Sequence, residues 1–132
     1  MKNYCIDSDI LIYFLKGNQK IIDKFIRIPS YNLYITRINY TELLYGAYNS
    51  ERVKENLKKI TLFLEKFNVL EYDKNSADIF AKLKSDLKKE GKVIADMDLM
   101  IASIALANNQ TLVTNNLKHF QRIKKLKIER WI

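Results

Sequence analysis

Short apolar runs alternate with longer amphipathic stretches along the 132 residues of this chain. The short runs are rich in β-branched and aromatic residues and are bounded by polar ones, which predicts strands. They cover residues 4–6, 33–36, 69–72, 111–114 and, more weakly, 128–131. Strands that alternate with helices favour an α/β fold, a sandwich with a mostly parallel sheet covered on both sides. At this length we expect a single domain over residues 1–132.

Three of the intervening stretches carry clear helical patterns. The first has apolar residues three and four apart up to Phe67, with Ser50 as its N-cap. The second begins at residue 75 or 76 and stops at Gly91, in the position that follows a C-cap. The third, 96–108, is apolar on nearly every face, which indicates a buried helix.

Two acids, Asp96 and Asp98, lie within the most apolar stretch of the chain, and no Lys or Arg occurs from Val93 to Gln110. Ionised groups in such surroundings are costly to desolvate unless a positive charge compensates them. A bound metal ion is therefore a serious candidate. One Cys and one His cannot build a thiolate or imidazole zinc site, so oxygen would hold the ion, as suits Mg²⁺ or Mn²⁺.

Further polar residues follow the predicted strands. Asp7 and Asp9 come directly after the first strand, Glu42 lies a few residues past the second, and Asn115 and Asn116 follow the fourth. Ligands of open α/β sheets bind outside the carboxyl ends of the strands, so we expect these groups to converge there with Asp98. Such ions serve phosphate chemistry by activating water and neutralising phosphoryl charge.

Each acid also has a structural interpretation that needs no ligand. The segment from Asp7 to Asp9 can cap a helix over residues 10–15, and Glu42 can complete a capping box that begins at Asn39. Asp96 can be the N-cap of its own helix, with Asp98 in the first turn.

Residues two apart on a helix do not share a face, so Asp96 and Asp98 cannot point identically at one ion. We expect Asp98 to be the inner ligand, with Asp96 behind it or facing the metal from the helix terminus. His119 is predicted at the surface and Cys5 in the core.

The chain is basic, with a net charge of +8 and a pI near 9.5. This charge points to a polyanionic partner, although for each basic cluster taken alone a solvated helix face is the better explanation. Two segments hold most of the clustered charge: Lys82, Lys84, Lys88, Lys89 and Lys92, and then Lys118, Arg122, Lys124, Lys125, Lys127 and Arg130.

Composition excludes several classes of protein. With 48% hydrophobic and 29% charged residues, three Gly and one Pro, the chain is typical of a globular protein and not of a disordered or fibrous one. No segment is long enough to span a membrane, and the N-terminus lacks the apolar region of a secretory signal. We expect a cytoplasmic location.

Four blocks of sequence, in this order, resemble the PIN-domain ribonucleases and, among them, the VapC toxins of type II toxin–antitoxin pairs. The resemblance covers almost the whole chain. The blocks are Tyr-Cys-Ile-Asp-Ser-Asp-Ile-Leu-Ile-Tyr-Phe-Leu-Lys-Gly at 4–17, Thr-Glu-Leu-Leu-Tyr-Gly at 41–46, Ile-Ala-Asp-Met-Asp-Leu-Met-Ile-Ala-Ser-Ile-Ala at 94–105, and Thr-Leu-Val-Thr-Asn-Asn at 111–116, with His-Phe at 119–120.

The resemblance implies an α/β/α sandwich and endonucleolytic cleavage of RNA, tRNA or rRNA, that depends on Mg²⁺ or Mn²⁺. It matches Asp7, Glu42 and Asp98 to the metal-binding acids and Asp96 to a frequent additional one. Ser8 and Asn116 match positions that orient ligands or water. It also implies a homodimer and a cognate VapB-type antitoxin.

Two positions depart from the pattern of the family. Asp9 stands where Asn is common, which alters the local charge. Asn115 and Asn116 stand where many PIN domains have a fourth acid, which bears on whether a second metal ion binds strongly.

Two alternatives remain open. Asp-x-Asp after an apolar first strand also occurs in phosphatases related to haloacid dehalogenases, but Leu11 stands where they usually carry Thr or Val. A PIN-like domain that binds RNA or protein without cutting is the non-enzymatic alternative.

On the helix ending at Phe67, the additional apolar residues Leu62 and Phe63 belong to the core by default but could form a dimer or antitoxin surface.

Overall fold

The computed structural model describes residues 2–132 and contains one sheet of five parallel strands. Their spatial order is β3-β2-β1-β4-β5. The strands are β1 (Tyr4–Ile6), β2 (Leu33–Thr36), β3 (Asn68–Leu70), β4 (Thr111–Val113) and β5 (Lys127–Glu129). The five predicted strands are all present, and the third and fifth begin one residue earlier than predicted.

Seven α-helices connect the strands within residues 2–132. They are α1 (Ser8–Leu15), α2 (Gln19–Arg27), α3 (Arg37–Tyr48), α4 (Val53–Leu64), α5 (Lys74–Lys89), α6 (Asp96–Ala107) and α7 (Leu117–Phe120), with a 3₁₀ turn at Ser30–Asn32. Helix α2 has no counterpart among the predicted elements. Its signal is Asn18, an N-cap whose side chain accepts a hydrogen bond from the Ile21 N–H at 3.2 Å.

The two faces of the sheet pack against different helices. In β1, Ile6 joins a buried cluster with residues of α1 and α4, whereas Cys5 joins a second cluster with residues of α5 and α6. Successive strand residues point to opposite faces, so β1 supplies both cores. The α/β/α sandwich is thereby confirmed, as is the place of Cys5 in the core.

The predicted N-cap of α4 is wrong, and the capping-box interpretation of Glu42 does not hold. Ser50 does not cap α4, because its hydroxyl donates to the Ala47 carbonyl at 2.6 Å and so closes the end of α3. Helix α3 begins at Arg37, and its capping box joins Thr36 to Asn39, which leaves Glu42 in the second turn.

The ends of the other predicted helices agree more closely. Helix α5 starts at Lys74 with Asp73 as its N-cap, slightly earlier than predicted. Gly91 follows its C-cap with φ of +70°, the left-handed conformation expected there. Helix α6 ends at Ala107.

Strand order places the predicted acids together. The chain runs outward from β1 to β2 and β3 and then returns, so that β4 pairs with the other side of β1. This change of direction opens a crevice at the carboxyl ends of β1 and β4. Asp7 and Thr114 are the first residues beyond those two strands.

No helix among residues 2–132 combines the length and the apolar character that a membrane crossing requires.

Two glycines give a matched test of the backbone. A Cβ added at either Gly46 or Gly91 would meet no atom within 4 Å, but only Gly91 has positive φ. We expect Gly91→Ala to lower the free energy of unfolding by about 1–2 kcal/mol, the cost of a left-handed L-residue. Gly46→Ala, inside α3, should raise it by about 0.5–1 kcal/mol. Urea denaturation measures both, and equal signs would contradict this assignment of the two conformations.

Candidate active site

Asp7 is the centre of the crevice. It is buried, and its side chain caps α1 by accepting a hydrogen bond from the Ser8 N–H at 2.9 Å. The same Oδ1 accepts from Asn39 Nδ2 at 3.3 Å, while Oδ2 accepts from Thr114 Oγ1 at 2.8 Å. Three elements, α1, α3 and the end of β4, therefore fix this one carboxylate.

Ser8 connects Asp7's helix to Glu42. Its hydroxyl accepts a hydrogen bond from Asn39 Nδ2 at 2.9 Å and donates to Glu42 Oε1 at 2.7 Å. The hydroxyl thus orients Glu42 toward α1, and the structure brings Asp7, Ser8 and Glu42 together as predicted.

Asn39 owes its orientation to the start of α3. Its Oδ1 accepts from the Thr36 N–H at 3.0 Å and from Thr36 Oγ1 at 2.7 Å. With the amide oxygen held in the capping box, the amide nitrogen is directed at Asp7 and Ser8. The local signal that starts the helix therefore also orders the site.

Asp98 lies in the first turn of α6, with a quarter of its side chain exposed. Its Oδ2 is 3.6 Å from Nδ1 of His119, which lies 3.2 Å from the Asn116 side-chain nitrogen. His119 is only partly exposed, so the predicted surface residue lies at the edge of the site. The Asn116 N–H donates to Thr114 Oγ1 at 3.0 Å, which supports the hydroxyl bound to Asp7.

Asp96 does not join this group. Ala95 is the N-cap of α6, so Asp96 is not, and its carboxylate is 3.0 Å from Lys84 Nζ on α5. With 59% of its side chain exposed, Asp96 is neither buried nor without a cation. The absence of Lys and Arg from the neighbouring sequence gave no sign of this partner, because Lys84 comes from another helix.

An apolar hollow of about 610 Å³ adjoins the crevice. Ser8 and Glu42 form part of its wall, and Ile12, Tyr45 and Met97 supply exposed apolar surface. A ligand that reaches the acids can therefore also bury apolar groups beside them.

Comparisons with known proteins agree with this arrangement. A PIN-domain family model matches residues 4–126. Ribonuclease VapC1 of Haemophilus influenzae is 36% identical over 130 residues, 97% of each chain. The tRNA(fMet)-specific endonuclease VapC of Salmonella typhimurium is 30% identical over 99% of each chain. The crystal structure of DNA-bound VapBC from Salmonella typhimurium superposes with a TM-score of 0.93, 30% identity and full coverage of both chains.

The chain belongs to the PIN-domain family, in its VapC group. The match covers β1 to β4 and ends just before β5, and it leaves the phosphatase alternative without support. Leu11, at the position where those phosphatases usually carry Thr or Val, is fully buried in the core.

The acids of this PIN domain repel one another. Burial raises the pKa of Asp7 to about 7, and the charges of Asp9 and Asp98 act in the same direction, against the hydrogen bonds from Thr114 and Ser8. Burial also raises the pKa of Glu42, to which the charges of Asp98 and Asp9 add. The site therefore stores unfavourable negative charge, which a cation would relieve.

The donor set fits Mg²⁺ or Mn²⁺ in chemistry. All the acidic ligands offer oxygen, and Mg²⁺ is usually held by one or two carboxylates with several waters. As the side chains stand, no three Asp, Glu, His or Cys residues between positions 2 and 132 converge closely enough to ligate one ion. Asp7 and Asp98, with Glu42 nearby, are the residues that could hold it.

Most side chains of the two basic segments lie on solvated surfaces, either in exposed ion pairs or free of them. On α5, Lys82 pairs with Asp86 and Lys84 with Asp96. After α7, Arg122 donates to the Val93 carbonyl at 2.6 Å. The exposed cations near the end of the chain include Lys118, Lys124, Lys125 and Lys127.

Sequence reasoning missed three residues that shape the site: Asn39, Thr114 and the contact partner His119. Thr114 is buried and directly follows the last paired residue of β4, just as Asp7 directly follows the last paired residue of β1. This matching position at the end of a neighbouring strand was the signal that could have identified Thr114. The contact between His119 and Asp98 has no sequence signal, since it joins α7 to α6.

The raised pKa of Asp7 predicts a pH-dependent stability in the absence of metal. Between about pH 4 and 7 the folded Asp7 retains a proton that the unfolded chain has lost, so this group makes stability fall as pH rises. Asp7→Asn removes the effect and keeps an N-cap side chain. We expect the stability of Asp7→Asn relative to the parent to grow by up to a few kcal/mol across this range, at roughly 1.4 kcal/mol per pKa unit.

Urea denaturation in chelator at each pH measures this difference. Asp96→Asn is the control, because it removes only an exposed ion pair worth about 1 kcal/mol or less. A difference between Asp7→Asn and the parent that stays constant with pH would contradict a buried, protonated Asp7.

Proposed function

We propose that this PIN domain is a metal-dependent endoribonuclease and the toxin of a VapBC-type toxin–antitoxin pair. The observation that carries the proposal is the buried Asp7, surrounded by further carboxylates at the carboxyl ends of the two central strands. Relatives that the chain matches over nearly its full length are named as ribonucleases.

The proposed metal ligands are Asp7 and Asp98, with Glu42 near them, and the ion is Mg²⁺ or Mn²⁺. When bound, such an ion lowers the pKa of an attacking water and neutralises charge on the scissile phosphate. We leave Asp96 out of the set because it pairs with Lys84.

The residues of the chain would then act as a rigid frame for hydrolysis. Asn39 and Thr114 hold the Asp7 carboxylate in one orientation, so that it needs no reordering when substrate arrives. Ser8 keeps Glu42 turned toward the same crevice. Asn116 supports this frame through the Thr114 hydroxyl.

The proposed substrate is RNA, and a tRNA is the class that the name of the Salmonella relative suggests. The exposed lysines after α7 would bind the phosphate backbone without regard to sequence, so affinity should fall as salt rises. The hollow beside Glu42, with Tyr45 at its rim, offers apolar surface for an unstacked base.

The proposed protein partners are a VapB-type antitoxin and a second copy of the chain. VapBC complexes are known for the Salmonella relative. Of the two additional apolar residues predicted on α4, Leu62 is exposed at the surface and Phe63 is buried in the core. Leu62 is thus available to a partner, and Phe63 is not.

Point substitutions test the activity. Asp7→Asn and Asp98→Asn should each lower the rate of RNA cleavage in Mg²⁺ or Mn²⁺ by at least about 100-fold, the scale on which loss of one group that stabilises a transition state acts. Asp96→Asn is the matched control on the same helix as Asp98 and should retain most of the activity. Gel analysis of a broad panel of RNAs, with and without chelator, provides the measurement.

The proposal fails if the parent chain cuts no RNA in the panel, or if Asp7→Asn and Asp98→Asn cut as well as the parent. RNA binding that persists in chelator without any cleavage would favour the non-catalytic alternative.

A further inference from the structure

The chain holds the two proposed metal ligands in different ways. Asp7 accepts hydrogen bonds from three donors, whereas Asp98 accepts none within residues 2–132. The one ion-pair partner of Asp98 in that range is His119, whose Nδ1 is 3.6 Å from Asp98 Oδ2. This distance is too long for a hydrogen bond but short enough for a direct electrostatic contact. The imidazole ring is therefore the only group in the described chain that pairs with this carboxylate.

A short segment that begins at the end of β4 connects this ring to Asp7. Thr114 Oγ1 donates to Asp7 Oδ2 at 2.8 Å and accepts from the Asn116 N–H at 3.0 Å. The side-chain nitrogen of Asn116 lies 3.2 Å from Nδ1 of His119, three residues further on in α7. A continuous series of polar contacts thus runs from one proposed ligand to the other, and it constrains the separation of two carboxylates that belong to different elements.

The contact with Asp98 uses the Nδ1 side of the ring. A carboxylate oxygen only accepts hydrogen bonds, so the contact is favourable when Nδ1 carries the hydrogen. A half-turn of the Asn116 amide lets its oxygen accept from the same N–H. The core does not need the His119 ring, since 42% of the side chain is exposed and Phe120 is the buried residue of α7. Polar contacts, rather than packing, therefore account for the placement of the ring.

We propose that His119 is a positioning residue, which orients the Asp98 carboxylate through Nδ1 and holds it at a fixed separation from Asp7. Polar groups that orient metal ligands typically contribute 10–100-fold to the affinity for the ion. The ion is a divalent cation that prefers oxygen ligands. This inference rests on the proposed function, since His119 acts through one of the proposed metal ligands.

Substitutions of His119 separate this polar role from a packing role. His119→Asn keeps a side-chain N–H near the position of Nδ1, whereas His119→Phe keeps the ring and removes both nitrogens. We expect His119→Phe to weaken Mn²⁺ binding at least about tenfold and His119→Asn to retain most of the affinity. His119→Gln, whose amide reaches the position of Nε2 instead, should bind as weakly as His119→Phe. Electron paramagnetic resonance of the purified chain, with Mn²⁺ as the only added ligand, measures the affinity.

Two further variants complete the experiment. Asn116→Leu keeps the backbone N–H that bonds Thr114 but removes the amide beside His119, so it should also weaken Mn²⁺ binding. Asp96→Asn removes an acid from the same helix as Asp98 and should leave the affinity unchanged, because Asp96 pairs with Lys84 outside the crevice.

Each outcome decides. Equal Mn²⁺ affinity in His119→Phe and the parent overturns the inference and leaves the proposed function standing. The same conclusion follows if His119→Asn binds no better than His119→Phe, since the contact would then not depend on Nδ1. If the parent binds no Mn²⁺, both the inference and metal dependence fail. Circular dichroism checks folding; should the His119 variants not fold, parent-like affinity in Asn116→Leu overturns the inference and weakened affinity supports it.

Discussion

The burial of Asp7 between the carboxyl ends of β1 and β4 is the constraint on which the rest of the site depends. A carboxylate in this place is stable only if donors or a cation surround it, and three donors from α1, α3 and β4 do so. They do not fully offset the burial, since the pKa of Asp7 still lies near 7. The fold thus holds an acid that favours either a proton or a positive partner.

The same hydrogen bonds that begin the helices also build the site. Asp7 caps α1, and the capping box of Thr36 and Asn39 starts α3 while directing the Asn39 amide at Asp7. Capping is worth about 1 kcal/mol to each helix, but here it also fixes the geometry of the proposed ligands. The capping role of Asp7 is therefore compatible with its proposed role as a metal ligand, and the two need not be alternatives.

Features that follow from local pattern could be predicted, and features that depend on packing could not. Alternating runs predict the five strands, and the residues just beyond them include Asp7, which a parallel sheet must bring to one edge. Asp96 and Asp98 look equivalent in sequence, but α5 supplies Lys84 to one and α7 supplies His119 to the other. No spacing along α6 encodes that difference, because both partners come from elements distant in the chain.

A crystal of the chain soaked in Mn²⁺ and measured at a wavelength with strong manganese anomalous scattering tests the central claim most directly. The predicted result is an anomalous peak in the crevice between Asp7 and Asp98, within ligand distance of their oxygens and absent beside Lys84 and Asp96. A crevice open to solvent in the lattice that shows no peak at saturating Mn²⁺, or a peak confined to Asp96, would contradict it.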